Sequence, residues 1–154
     1  DLLLLATNTM HKVAPAIERA VRIPLLHIVD ATAEAIKQQG LHTVGLLGTR
    51  FTMSDGFYTE RMAAQGVNTI VPSEAEQNEI HRIIFEELCV NKIQAASAQY
   101  FQNMIGSLKT QGAQGIILGC TEICLIVNAQ NSPLPVFDST ALHAQAAVNA
   151  ALAQ

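Results

Sequence analysis

Aliphatic runs of strand length recur along the chain: LLLLA at 2–6, IPLLHIV at 23–29, TVGLLG at 43–48, VNTIV at 67–71, GIILG at 115–119 and LPVF at 134–137. Between them, residues 11–21, 31–39, 54–65, 74–89, 93–111 and 139–153 carry apolar positions at helical spacing. Gly40, Gly66 and Gly112 stand where helix C-caps are expected, and Ser54 and Ser139 suit N-caps. The strands do not alternate apolar with polar, so both faces of each should be covered. Strand–helix alternation of this kind predicts an α/β fold on parallel sheets. The chain opens directly on a buried-looking strand, which leaves one sheet edge uncovered unless another segment supplies it. Residue 1 is therefore expected not to be the biological start.

Composition narrows the function classes. The 154 residues are enough for one ordinary domain or most of two small ones. With 9 basic against 13 acidic residues, the net charge is −4, and no run of Lys or Arg could follow a phosphate backbone. Nucleic acid is not an expected partner. The apolar stretches are too short to span a bilayer, and LLLLA lacks the basic flank of a signal peptide. Three cysteines, an odd number, argue against a disulfide framework and fit a reducing compartment, so the expected location is cytoplasmic. No glycine-rich dinucleotide motif, phosphate-loop lysine or Gly-x-Ser-x-Gly elbow occurs.

The chain contains a faint internal echo. Strand, ATNT, helix and IPLLHIVDAT near the start parallel strand, GCTE, helix and LPVFDST near the end. In parallel sheets ligands gather at the carboxyl ends of strands, so two such ends facing one another would share one cleft. Cys120 follows one of these strands. A thiol opening a helix feels the positive end of its dipole, which should lower its pKa below about 8.5 and make it alkylate faster than Cys89 or Cys124. Cys89 and Cys124 read as packing residues, and neither has partners at zinc spacing, so no metal site is expected. His11, four residues beyond Thr7, is the histidine nearest a polar cluster. His27 reads as a core residue, and His42, His81 and His143 lack a local constellation. Glu86 and Glu87 read as a solvated helix face.

At these clusters the chain resembles the cofactor-independent aspartate/glutamate racemases. The matching pieces are ATNTMHK at 6–12, IPLLHIVDAT at 23–32, VGLLGTRFTM at 44–53, IIFEEL at 83–88, GAQGIILGCTEI at 112–123 and LPVFDST at 134–140. The resemblance is strongest to bacterial L-aspartate/glutamate-specific members. It implies two pseudo-symmetric α/β lobes with the site between them, usually in a homodimer, and no cofactor such as pyridoxal phosphate. Residues 31–127 would form the second lobe, and 1–30 with 128–154 the remainder of a first lobe whose N-terminal part has no counterpart here.

The reaction the resemblance implies is α-proton exchange on a small amino acid between two cysteines on opposite faces. Cys120 matches the cysteine that acts on the L-enantiomer, and Thr7 stands where the other belongs. An alkanol is too weak an acid to rest as a base, but it can donate a hydrogen bond or relay a proton from water or His11. Asn8, Thr9, Thr121 and Glu122 match positions that hold the substrate carboxylate and ammonium, and His11 is a candidate supporting residue. A lysine that many members place before the IIFEEL helix is not evident; Glu79, His81 and Arg82 occupy that region. Two alternatives stay open, a one-thiol decarboxylase or isomerase of the same superfamily and an inactive amino-acid-binding homologue.

Overall fold

The computed structural model describes residues 1–153. Its elements run β1 (Leu3–Leu4), a 3-10 turn (Thr9–Val13), α1 (Ala14–Ala20), β2 (Leu25–Leu26), α2 (Ile28–Gln38), β3 (Thr43–Gly48), α3 (Arg50–Ser54) and α4 (Phe57–Ala64). They continue with β4 (Asn68–Ile70), α5 (Glu74–Glu86), a 3-10 turn (Leu88–Val90), α6 (Ala95–Thr110) and β5 (Ile116–Gly119). A 3-10 turn (Ile123–Leu125), β6 (Val136–Asp138) and α7 (Ser139–Leu152) complete the order. Four strands form a parallel sheet in the order β4-β3-β5-β6, and β1 pairs with β2 in a separate parallel pair.

The aliphatic runs explain the centre of the sheet. β3 and β5 register Gly45 with Ile116 through Gly48 with Gly119. Leu46, Leu47, Ile116 and Ile117 are wholly buried, each large side chain contributing about 1.5–3 kcal/mol of burial. Helices α5 and α6 pack on β3, α7 on β5, and α2 on α7. Gly40, Gly66 and Gly112 do follow the ends of α2, α4 and α6.

Several expectations are corrected. The helix expected over 54–65 begins only at Phe57, because Gly56 at φ +77° opens α4 and separates it from α3, which ends at Ser54. Ser54 ends α3 instead of capping a helix, and its hydroxyl donates to the Arg50 carbonyl. α7 is capped by Asp138, whose carboxylate accepts from the Thr140 and Ala141 N–H groups; Ser139 is its first residue and donates to the Leu118 carbonyl. α2 begins at Ile28, because the Nδ1 of His27 accepts from the Val29 N–H and caps it. Residues 136–138 form β6, which pairs with β5 at the edge of the four-stranded sheet.

Candidate active site

The ends of β1 and β5 meet at one cavity of about 280 Å³, close to the lower limit for ligand pockets and suited to a small molecule. Ala6, Thr7, Asn8 and Thr9 line it from the first strand end, and Gly119, Cys120, Thr121 and Glu122 from the second. Thr49 joins them from the end of β3, and Ile84, Phe85 and Cys89 complete the lining. Every catalytic or substrate-contacting residue expected from sequence therefore lies at one place. His11 does not line this cavity.

β5 carries Cys120 to the cleft, where the side chain is 8% exposed. A Cβ on Gly119 would stand 3.0 Å from Leu46 and 3.2 Å from the Leu47 carbonyl, so the strand end fits closely against β3 only without one. The Cys120 thiol donates to the Glu122 carboxylate at 3.0 Å, and the Thr121 hydroxyl donates to the same oxygen at 2.6 Å. Burial, and then this carboxylate, push the Cys120 thiol up to about 12, while the Glu122 backbone N–H acts in the opposite direction. The expected dipole activation is absent because a three-residue 3-10 turn follows β5, too short to build a macrodipole. Glu122 lies below its usual range: burial raises it, but the hydrogen bonds from Cys120 and Thr121 outweigh that. The resting pair is thiol and carboxylate.

On the other strand end Thr7 is half-buried and Asn8 is 5% exposed. The side-chain oxygen of Asn8 has no hydrogen-bond partner among the described residues. An acceptor buried beside a cavity without a donor costs about 1–3 kcal/mol, which a bound donor would recover. Thr9 is differently placed from a free ligand group. Its hydroxyl bonds to those of Thr52 at 2.9 Å and Thr49 at 3.2 Å, which are themselves 3.2 Å apart. Thr49 also caps α3 by accepting from the Thr52 N–H. Sequence reasoning missed Thr49, although its place directly after the Gly48 strand end was the available signal.

His11 is 1% exposed and touches Thr7 through the backbone: Nδ1 lies 2.7 Å from the Thr7 carbonyl and Nε2 accepts from the Ile28 N–H at 3.2 Å. A proton relay from His11 to the Thr7 hydroxyl is therefore not the arrangement found. His27 and His143 pack against it, with ring centroids 4.3 and 5.7 Å away, so His143 does belong to a constellation.

Two further expectations change. Cys89 is an exposed thiol in the cleft lining, not a packing residue, because α5 stops at Glu86 and the chain turns out through Leu88–Val90. Glu87 is buried, not solvated; it accepts from Ser97 and pairs with Arg82 at 3.0 Å, anchoring that turn. Arg82 also pairs with Glu79 and Glu86, and no Lys or Arg lines the cavity among the described residues. Cys124 is half-buried and donates to Asp138, as a packing residue would. Among the described residues no group of three His, Cys, Asp or Glu could hold a metal ion, and no helix is long and apolar enough to cross a membrane.

Comparison with known proteins matches residues 1–147 to the Asp/Glu/hydantoin racemase model. The broad specificity amino-acid racemase RacX of Bacillus subtilis is 28% identical over 99% of this chain and 66% of its own length. Among solved structures, a Yersinia pestis protein assigned to the Asp/Glu racemases is 52% identical with TM-score 0.94, over 98% of this chain and 66% of that one. An aspartate racemase homologue from Pyrococcus horikoshii OT3 is 34% identical with TM-score 0.89, over 97% and 66%. The chain thus spans about two thirds of the length of these relatives.

Proposed function

The chain belongs to the Asp/Glu/hydantoin racemase family, and from that premise we propose that it serves a cofactor-independent amino-acid racemase interconverting L- and D-aspartate or glutamate. The observation that carries this reading is the shared cavity: Cys120 with its Glu122 acceptor, Thr7, and the unpartnered Asn8 oxygen line one space of amino-acid size.

In this reading the substrate ammonium donates to Asn8 and lies near Glu122. A cation there favours the thiolate, opposing the burial that keeps Cys120 protonated in the empty cleft. Glu122 takes the thiol proton, and the thiolate removes the Cα proton of the L-substrate and so is a thiol again. The carbanion receives a proton from water relayed through the Thr7 hydroxyl, and the hydroxide left behind is neutralised by the proton held on Glu122. Thr121 and Thr9 fix the substrate carboxylate and the cleft floor. In the same reading the protein is cytoplasmic and homodimeric, which sedimentation in solution tests.

The deciding experiment follows Cα deuterium incorporation from D2O into L-Asp, L-Glu and their enantiomers. Cys120→Ala should lower exchange from the L-substrates by at least about 10³-fold, the upper part of the range for losing a positioned acid–base group. Unchanged exchange in that variant sinks the reading. A one-thiol decarboxylase or isomerase is favoured by one observation, the hydroxyl of Thr7 in place of a second thiol, and release of CO2 in the same assay identifies it.

A further inference from the structure

Beneath the cleft, three buried imidazoles meet: His11, His27 and His143, 1%, 3% and 4% exposed. Each bonds a backbone group whose polarity is fixed, so the state of the bonded nitrogen follows. The Ile28 N–H can only donate, so the Nε2 of His11 is bare and its Nδ1 carries the proton given to the Thr7 carbonyl. The Val29 N–H likewise leaves the Nδ1 of His27 bare. The Leu26 carbonyl, 2.8 Å from the Nε2 of His143, can only accept, so that nitrogen is protonated. His11 and His27, each with one bare nitrogen, are neutral, and the three rings together tie the ends of β1 and β2 to the start of α2 and to α7.

We propose that His11 is a positioning residue, whose neutral Nδ1–H imidazole clamps the Thr7 carbonyl to the first turn of α2 and so sets where the Thr7 hydroxyl stands in the cleft. The role rests on the racemase reading only for its catalytic consequence. His11 is not the second base: both ring nitrogens are committed to backbone groups and the ring does not line the cavity. A proton added at Nε2 would face the Ile28 N–H, donor against donor, and release the clamp. The surrounding charges resist that proton. Arg61 of α4 and Lys12 flank the pocket beside His11 and His27, although Asp30 and Asp55 pair with them and Glu60 lies nearby. Burial, and then His143 and Arg61, hold His11 below its ordinary value even against the bond to Thr7.

Nitrogen-15 NMR of the imidazoles at neutral pH tests the clamp without any assay of activity. The expected result is a neutral His11 protonated at Nδ1; an Nε2-protonated or charged ring overturns the proposal. His11→Phe, which keeps a ring but loses both bonds, should lower kcat for exchange from both enantiomers by about 10- to 100-fold, the cost of misplacing a catalytic group by about 1 Å. KM should change far less, and the shape of the pH profile should be kept. Loss confined to one enantiomer, with loss of a pH limb, would make His11 the base and overturn the proposal. So would unchanged exchange. If the unaltered protein exchanges neither enantiomer, the racemase reading falls, and a bridging measurement still decides the clamp. A bifunctional bimane should join Cys120 to the thiol introduced by Thr7→Cys, in a Cys89→Ser background, and His11→Phe should slow this at least about 10-fold. An equal rate overturns the clamp.

Discussion

The Cys120 thiol and the Glu122 carboxylate are 3.0 Å apart, and the proton between them belongs to sulfur. Burial first, and this carboxylate second, push the thiol up to about 12, so it is almost wholly protonated at neutral pH. Glu122→Gln removes one of the two main causes and should shift the alkylation profile of Cys120 to lower pH. It also removes the acceptor for the thiol proton, so exchange from L-substrates should fall by about 10²-fold or more. A Cys120 that alkylates at the same pH in both proteins would show that Glu122 does not govern the thiol.

Cys89 should be the fastest of the three thiols toward iodoacetamide at pH 7. It is exposed, and although burial and then the Glu122 charge raise it too, burial pushes both Cys120 and Cys124 up to about 12. Because Cys89 lines the cleft, a substrate-sized amino acid should slow its modification. Peptide mapping after brief labelling reads both outcomes; preferential labelling of Cys120 would contradict them.

Thr7→Cys restores an acidic group to the face that now holds a hydroxyl. The two enantiomers have equal free energy in water, so any kinetic bias must enter the forward and reverse parameters together. The variant should gain deuterium exchange from D-Asp or D-Glu without losing exchange from the L-forms. An unaltered protein that already exchanges both equally, with no gain in the variant, would place the second base elsewhere.

Asn8→Leu exchanges a buried unpartnered acceptor for an apolar side chain of similar size. Stability should hold or rise by about 1 kcal/mol, since the orphaned oxygen no longer loses solvation on folding. Under the proposed function KM should rise, because the substrate ammonium would lose its acceptor. Thermal melts and steady-state kinetics on one preparation test the opposition; a destabilised variant with unchanged KM would refute it.

Burial, followed by the repulsion that a proton on His11 would bring and by the Arg61 charge, pushes His27 down to about 3. As pH falls through about 6.5, an unfolded histidine takes up a proton that native His27 refuses until about 3. The unfolded state then binds more protons, so stability falls across this window and levels off below it. Asn caps helices well and does not titrate. His27→Asn should therefore reduce the slope of stability against pH in this window by up to about 1.4 kcal/mol per unit. Urea unfolding at pH 6 and pH 4 reads the slope; an unchanged slope would assign the acid sensitivity to other groups.

What the sequence revealed follows from how locally each feature is encoded. TVGLLG forms β3 over the expected residues, because an aliphatic run fixes a buried parallel strand by itself. Cys120, Thr7 and their neighbours were legible because both lie at strand ends. Glu87 was not, since its burial depends on Ser97, ten residues on, beyond any helical periodicity. Cys89 reads as the apolar end of a helix over 74–89, but the chain leaves α5 about one turn early. His27 hides the start of α2 because imidazole is an uncommon cap, and the strand expected over 23–29 shrinks to Leu25–Leu26.

The hydroxyls of Thr9, Thr49 and Thr52 close a triangle, with sides of 2.9, 3.2 and 3.2 Å. Each oxygen can donate one proton and accept another, so the ring is satisfied with its protons circulating in either sense. Rotation of three O–H bonds reverses that sense without moving a heavy atom. Every proton of the closed ring is spent inside it, and Thr49 also accepts from the Thr52 N–H, so toward the cavity the ring can present only a lone pair of Thr9. The floor of the cleft is therefore an acceptor, suited to a bound donor such as an ammonium and with no proton to give while the ring stays closed.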